Sequence, residues 1–267
     1  MLFSFKITYS AQQITGEVGV KTTLRICADP NNLPYSSQDT EGYENKIANL
    51  FAKKLGNIPV IYAWYPMTSG FVRRTLDAKT CDLIVTFPAI HEFVQNSNPF
   101  YNSSYVLMSL EEKDIKVKTL SDPIIKEKKY KIGIIHATPP SSYVAKYKLF
   151  GQVKFYRQAA DPRKQKPWVD ITNDLVDGKL DIAILWGPYA GYEAKKAKKP
   201  ITIVPLTKEE TVSRGKLVYR FTMGIRRNEP EWEKTINNLI KENQEEINKI
   251  LRGYGVPLLD NLGNPLK

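Results

Sequence analysis

Apolar residues in this chain alternate between two arrangements. Short compact runs, the pattern of buried strands, are separated by stretches in which apolar positions recur at helical spacing. LRICAD (24–29) is the first compact run. A turn-rich segment follows, PNNLPYSSQDTEGY, with the Pro, Asn, Ser and Asp of a loop. Ile47, Leu50, Phe51 and Leu55 then recur at i, i+3, i+4 and i+8, one face of a helix, with Gly56 as its C-terminal cap. PVIYAWY (59–65) reads as a second strand, SGFVRRTLDAKT as a short helix capped by Ser69, and CDLIVTF (81–87) as a third strand. Strand and helix alternating at this spacing imply a parallel sheet with right-handed crossovers.

The pattern then restarts. YVLMSLE (105–111) is a strand leading away, and YKIGII (130–135), VKFYR (153–157) and DIAILW (181–186) are three further strands. A loop into a helix, HATPPSSYVAKYKLFG, follows the first of these, and WVDITNDLVDGKL reads as a helix with Leu175 and Leu180 on its apolar side. After PITIVPL comes KLVYRFTMGIRR (216–227), a strand long enough to cross back. From Pro230 to near Gly253, one long helix is expected, lined by Trp232, Ile236, Leu239, Ile240, Ile247 and Leu251. Two similar α/β halves joined by two crossing strands give a bilobed α/β fold. Residues 1–23 are an N-terminal extension, 24–109 the first part of lobe 1, 110–215 lobe 2, and 216–267 the hinge return and the helix that completes lobe 1. Ligands of open α/β sheets sit beyond the carboxyl ends of the strands, which places the site in the cleft between the lobes.

Composition narrows the function classes. The 267 residues suit two medium lobes. No apolar run approaches the ~20 residues of a membrane helix. The start, MLFSFKITYSAQQ, lacks the basic region and cleavage site of a secretory signal. The formal net charge of +11 suits an acidic partner as well as general solubility. The lysine clusters KEKKYK (126–131) and KAKK (196–199) have no interleaved aromatic pattern, so a nucleic-acid partner is not expected. Only Cys27, Cys81, His91 and His136 could supply soft metal ligands, without CxxC spacing, so neither a metal site nor a c-type haem is expected.

CADPNNLPYS, GYENKIA, GFVRRTLDAKTCDLIV, ATPPS and LWGPYAGY, in that order, resemble the MxaJ/XoxJ family. The likeness to type II periplasmic solute-binding proteins spans nearly the whole length from residue 24. The resemblance implies a type II periplasmic binding protein fold and a periplasmic location. It implies a non-enzymatic accessory, without cofactor, of a PQQ-dependent methanol dehydrogenase of the calcium or lanthanide type, with the dehydrogenase's cytochrome c as a further possible partner. The chain is expected to be a monomer. In this fold the strands holding Cys27 and Cys81 are neighbours. Simple register sets Cys27 opposite Ile84, an offset from Cys81 too long for a bridge, while an oxidising compartment favours one. Two free thiols and one disulfide both stay open.

The cleft chemistry departs from that of amino-acid binders. Those need an Arg for the ligand carboxylate and an acid for its ammonium, because an unpaired buried charge is costly. The loop PAIHEFVQNSNPFY holds no Arg, and the sixth strand is followed by Trp186, Gly187 and Pro188 where the acid would stand. Apolar and aromatic residues line the expected cleft: Leu33, Pro34, Tyr35, Trp64, Tyr65, Phe87, Pro88, Pro139, Trp186, Pro188, Tyr189 and Tyr192. This surface suits an interface or an apolar ligand. Asp29 is either an Asx-turn acceptor for the loop at Asn31 or a cleft-facing group. Glu44 opens the first helix, where the dipole favours a carboxylate. Arg73 lies at the cleft rim, on a solvated helix face or against an anion. Thr138 precedes a helix whose anion-binding amides are removed by Pro139 and Pro140. A paired-carboxylate catalyst is not expected, since Asp29 and Glu44 share one lobe.

Overall fold

The computed structural model describes residues 21–89, 92–158, 164–210, 212–213 and 215–266; the expected N-terminal extension lies almost wholly outside them. The strands are β1 (Leu24–Ala28), β2 (Asn31–Asn32), β3 (Ser36–Ser37), β4 (Val60–Trp64), β5 (Leu83–Pro88), β6 (Gln95–Asn96), β7 (Tyr101–Leu110), β8 (Ile132–Ile135), β9 (Val153–Tyr156), β10 (Ile182–Trp186), β11 (Ile201–Pro205) and β12 (Val218–Ile225). The helices are α1 (Tyr43–Lys54), α2 (Phe71–Arg74), α3 (Pro123–Glu127), α4 (Pro140–Lys146), α5 (Pro167–Val176), α6 (Gly187–Lys196), α7 (Pro230–Glu242) and α8 (Gln244–Gly253).

The sheet runs β4-β1-β5-β12-β7-β10-β8-β9, with β11 also on β7. In the first lobe β4, β1 and β5 are parallel, and in the second β10, β8 and β9 are parallel. β7 joins them. Its residues 101–104 pair with β12, and 105–110 pair with β10 and β11. The bilobed α/β architecture expected from the sequence is present, and one strand is common to both halves. Each half is apolar on both faces. Ile26, Leu83, Val85 and Phe51 pack with Trp232 and Ile236 on one face of the first, and Cys27, Ile84 and Phe71 lie on the other. The second half buries Ile132, Ile184 and Tyr143 on one face and Ile171, Leu175 and Leu185 on the other.

Three local expectations change. The helix from Pro230 is two helices, broken at Asn243, which is buried with φ −122° and ψ 20°. Its side-chain amide donates to the Leu239 carbonyl at 2.8 Å, closing α7, and α8 then brings Ile247 and Leu251 onto the same core. α2 is one turn long and begins after Gly70 at φ 90°, so Ser69 caps nothing. Leu180 lies beyond α5 and fills the core from the turn before β10.

The cysteines form one disulfide, Cys27–Cys81, with Cα atoms 5.3 Å apart. Cys27 does pair with Ile84. The strand offset fails as a distance because Cys81 precedes β5, in a segment folded back toward β1 by Arg25 and Asp82. The Arg25 guanidinium forks onto the Asp82 carboxylate at 2.6 and 2.8 Å, and the Asp82 amide donates to the Arg25 carbonyl. The bond closes a sequence separation of 54 residues, which by chain entropy stabilises by about 4 kcal/mol. Replacing both cysteines with serine is expected to lower unfolding stability by that order in denaturant titration. An unchanged midpoint would show that this part of the first lobe stays constrained without the bridge.

Candidate functional site

β10 carries buried Ile182–Leu185 to the middle of the molecule and ends at Trp186. α6 starts immediately, with Pro188 in its first turn and Gly187 against the Ser104 carbonyl and Pro257, where a Cβ would clash. That tight start holds the indole in place. Tyr105 of β7, Tyr219 and Phe221 of β12 surround it at 5.4, 5.5 and 5.6 Å between centroids. Its Nε1 donates to the Tyr35 hydroxyl at 2.5 Å. Tyr189, nearly one turn on, stacks on Trp168 at 4.1 Å and meets Tyr35 edge-on at 5.4 Å. Its hydroxyl donates to Asn32 Oδ1 at 2.8 Å, and Lys166 Nζ donates to Asn31 Oδ1 at 3.0 Å. Side chains of the second half thus bond directly to the β1–α1 loop of the first. Burial raises the pKa of both Tyr35 and Tyr189, so these bonds are made by neutral phenols.

Two adjoining cavities of about 470 and 900 Å³ lie here. They share Met67, Thr68, Pro88, Trp186, Tyr189 and Phe221. Tyr105, Tyr219, Trp168, Ile135, Thr138 and Gln158 are among the others that line the smaller one. Tyr35, Asn32, Phe71, Thr86, Phe87, Phe93 and Arg73 help to enclose the larger. Among the described lining residues the charged ones are Arg73 and Asp77, both on the α2 side of the larger cavity. Among its described lining residues the smaller cavity has no charged one. Around Trp186 the described walls are mostly apolar and aromatic, the kind of lining that suits apolar or weakly polar matter. No group of three or more His, Cys, Asp or Glu placed to hold a metal occurs among the described residues.

The profile of bacterial extracellular solute-binding proteins, family 3, matches residues 24–256. The crystal structure of the periplasmic binding protein XoxJ from Methylobacterium extorquens AM1 superposes with TM-score 0.73 at 36% identity, covering 89% of this chain and 100% of that one. Protein MoxJ of Methylorubrum extorquens is 27% identical over 89% of this chain and 82% of its own length. MoxJ of Paracoccus denitrificans is 24% identical over 89% and 90%. The chain is a family 3 solute-binding protein of the MxaJ/XoxJ group.

In this MxaJ/XoxJ-type protein the structure brings Tyr35, Arg73, Phe87, Pro88, Thr138, Trp186 and Tyr189 onto the cavities, and Leu33, Pro34, Trp64 and Tyr65 are not among their lining residues. The other expected residues lie elsewhere. Asp29 is buried, its carboxylate accepting from the Asn31 amide at 2.8 Å and the Met67 amide at 2.6 Å, so it shapes two loops. Asn31 reaches across to Lys166 without lining either cavity. Pro139 precedes α4, and Pro188 is buried inside α6. Tyr192 points away and stacks on Tyr254 at 6.3 Å, where α6 meets the C-terminal turn through Gly191 against Gly255. Tyr105, Tyr219, Phe221, Trp168, Met67 and Thr86 were not anticipated. Tyr105 and Tyr219 lie on the strands expected to be hinges, and the crossing of those strands at the cleft is the signal that could have found them.

Glu44 is the largest departure. It does sit in the first turn of α1, but it is 2% exposed and lines no described cavity. Burial outweighs the helix dipole and pushes its pKa up to about 7, helped by Asp29 and opposed by the Thr86 and Ser36 hydroxyls. The folded value exceeds the unfolded value of 4.5. The fold therefore favours the neutral acid, and that stability is present below pH 4.5 and lost as pH rises to 7. The loss is about 3 kcal/mol. Urea unfolding of Glu44→Gln is expected to lack this slope and to show higher stability than the parent at pH 8. Parallel pH profiles for the two proteins would contradict the neutral assignment.

Proposed function

We propose that this chain is a non-enzymatic periplasmic accessory of methanol oxidation. Its aromatic cleft holds an apolar segment of a PQQ-dependent methanol dehydrogenase or its precursor, assisting maturation or activation. The observation that carries this reading is the end of β10. An indole caged by rings and a phenol bonded across the cleft stand where an amino-acid binder places an acid. Trp and Tyr in a desolvated pocket are the residues that anchor protein interfaces. The names of the relatives, XoxJ and MoxJ, supply the methanol-oxidation context. Charge supports an acidic partner, since residues 110–215 carry 21 Lys and Arg against 13 Asp and Glu. The disulfide suits an oxidising compartment.

A second reading, a carrier for a small apolar ligand, is favoured by one observation. Each cavity, at about 470 and 900 Å³, is within the range of small-molecule sites.

Trp186→Ala separates cleft contact from contact elsewhere. It is expected to weaken binding to immobilised methanol dehydrogenase by about thirtyfold or more, the loss typical of a buried aromatic anchor. Unchanged affinity, in a variant whose unfolding transition stays cooperative, sinks the cleft as the contact. The carrier reading predicts instead that a small apolar solute raises the melting midpoint of the wild-type protein.

A further inference from the structure

We propose that the outer edge of the second lobe is a docking face for an anionic lipid surface, to which the intact protein adsorbs. This face lies outside the two cavities, and the proposal does not depend on what the cleft holds. β9 ends the strand order and, among the described residues, pairs with β8 alone. The segment that builds this edge, residues 126–157, carries eight Lys and Arg against the single acid Glu127. Lys146 is paired with Glu210, and Lys154 with Asp174. Lys126, Lys128, Lys129, Lys148 and Arg157 are exposed and have no ion-pair partner among the described residues.

Two aromatic rings stand among these cations. Phe150, in the short turn before β9, is 62% exposed, and Phe155 within β9 is 37% exposed. Val153 belongs to the apolar cluster of Ile125, Val144 and Leu149, under α3 and α4. Side chains two apart on a strand share a face, so Phe155 stands on that side as well. Ile132 pairs with Val153, which sets the turn holding Phe150 near the chain of Lys128, Lys129 and Lys131 as it enters β8. A cluster of about four to eight Lys and Arg attracts anionic headgroups. Exposed rings beside it add apolar area that the boundary between headgroups and acyl chains takes up. Neither ring lines a described cavity, so the face offers a protein partner's anchors no pocket of the kind interface hot spots fill. A second copy would bring the same cations together, and like charges repel. No helix among the described residues is long and apolar enough to cross a membrane, so the contact is peripheral.

Flotation of the intact chain with phosphatidylcholine vesicles, with and without phosphatidylglycerol, tests this. Adsorption is expected only where phosphatidylglycerol is present, and it is expected to weaken as salt rises. The double variant Lys128→Gln, Lys129→Gln is expected to bind the anionic vesicles about thirtyfold more weakly, and Phe150→Ser about fivefold more weakly. These side chains are exposed, so cooperative unfolding is expected to survive in both variants. Phe150→Trp places a reporter at the contact, and brominated phosphatidylglycerol is expected to quench its emission beyond the wild-type level. No adsorption to anionic vesicles at low salt overturns the proposal. So does adsorption that Phe150→Ser or the lysine pair leaves unchanged, or an unquenched Phe150→Trp. Loss of dehydrogenase binding in Phe150→Ser, without vesicle adsorption, assigns the face to an acidic protein and overturns the lipid assignment. A dimer in solution that Phe150→Ser dissolves assigns it to a second copy and overturns it equally.

Discussion

The indole of Trp186 is the contact on which the arrangement of the cleft depends. It ends the central strand of the second half, lies against rings from both strands that cross between the halves, and donates its one proton to Tyr35 of the first. An indole nitrogen offers a single donor and no acceptor, so this bond fixes the direction of the ring. Tyr189 follows on the same helix and repeats the connection through Asn32. The two lobes are therefore in direct polar and aromatic contact through groups that carry no charge. These rings form aromatic walls at the end of β10.

A second constraint lies beneath the loop that Trp186 touches. Tyr35, Tyr43, Tyr101 and Glu44 are packed into the first lobe with little water access, and burial is the leading influence on each of them. The loop from Pro30 to Glu41 rests on this group. The Tyr43 and Glu44 amides donate to the Pro34 and Tyr35 carbonyls, and Asn45 accepts from the Ser37 and Gly42 amides. Asp29 ties the loop's start to the Met67 segment. The cleft lip of the first lobe is thus set by a buried polar layer, and the ionisation of Glu44 acts on that layer.

Element order was legible because each strand is a compact apolar run and each major helix has a clear face, from Ile47–Leu55 to Trp232–Ile240. The lobe plan followed from the repeat of that order. What escaped had physical causes. The break at Asn243 interrupts a continuous apolar stripe, and a stripe does not reveal one residue leaving helical geometry. Trp186 and Tyr189 were legible as cleft residues because they follow a strand end. Tyr192 was not separable from them by position, since it is three residues past Tyr189 on α6 and only the packing of the C-terminal turn draws it to Tyr254. Glu44 looked like a helix-dipole carboxylate because local position predicts ionisation and only the tertiary packing supplies desolvation. Phe221 and Trp168 are distant in sequence from the loops where ligands are sought, and the fold alone brings them to the cavity.

Hydrogen–deuterium exchange on the protein with and without methanol dehydrogenase tests most directly whether the cleft is the contact surface. Slower exchange is expected in two separated segments together, 29–37 on the first lobe and 186–192 on the second, with the lysine-rich 126–131 less affected. Protection confined to lysine-bearing surfaces, with both cleft segments exchanging as in the free protein, would contradict the account.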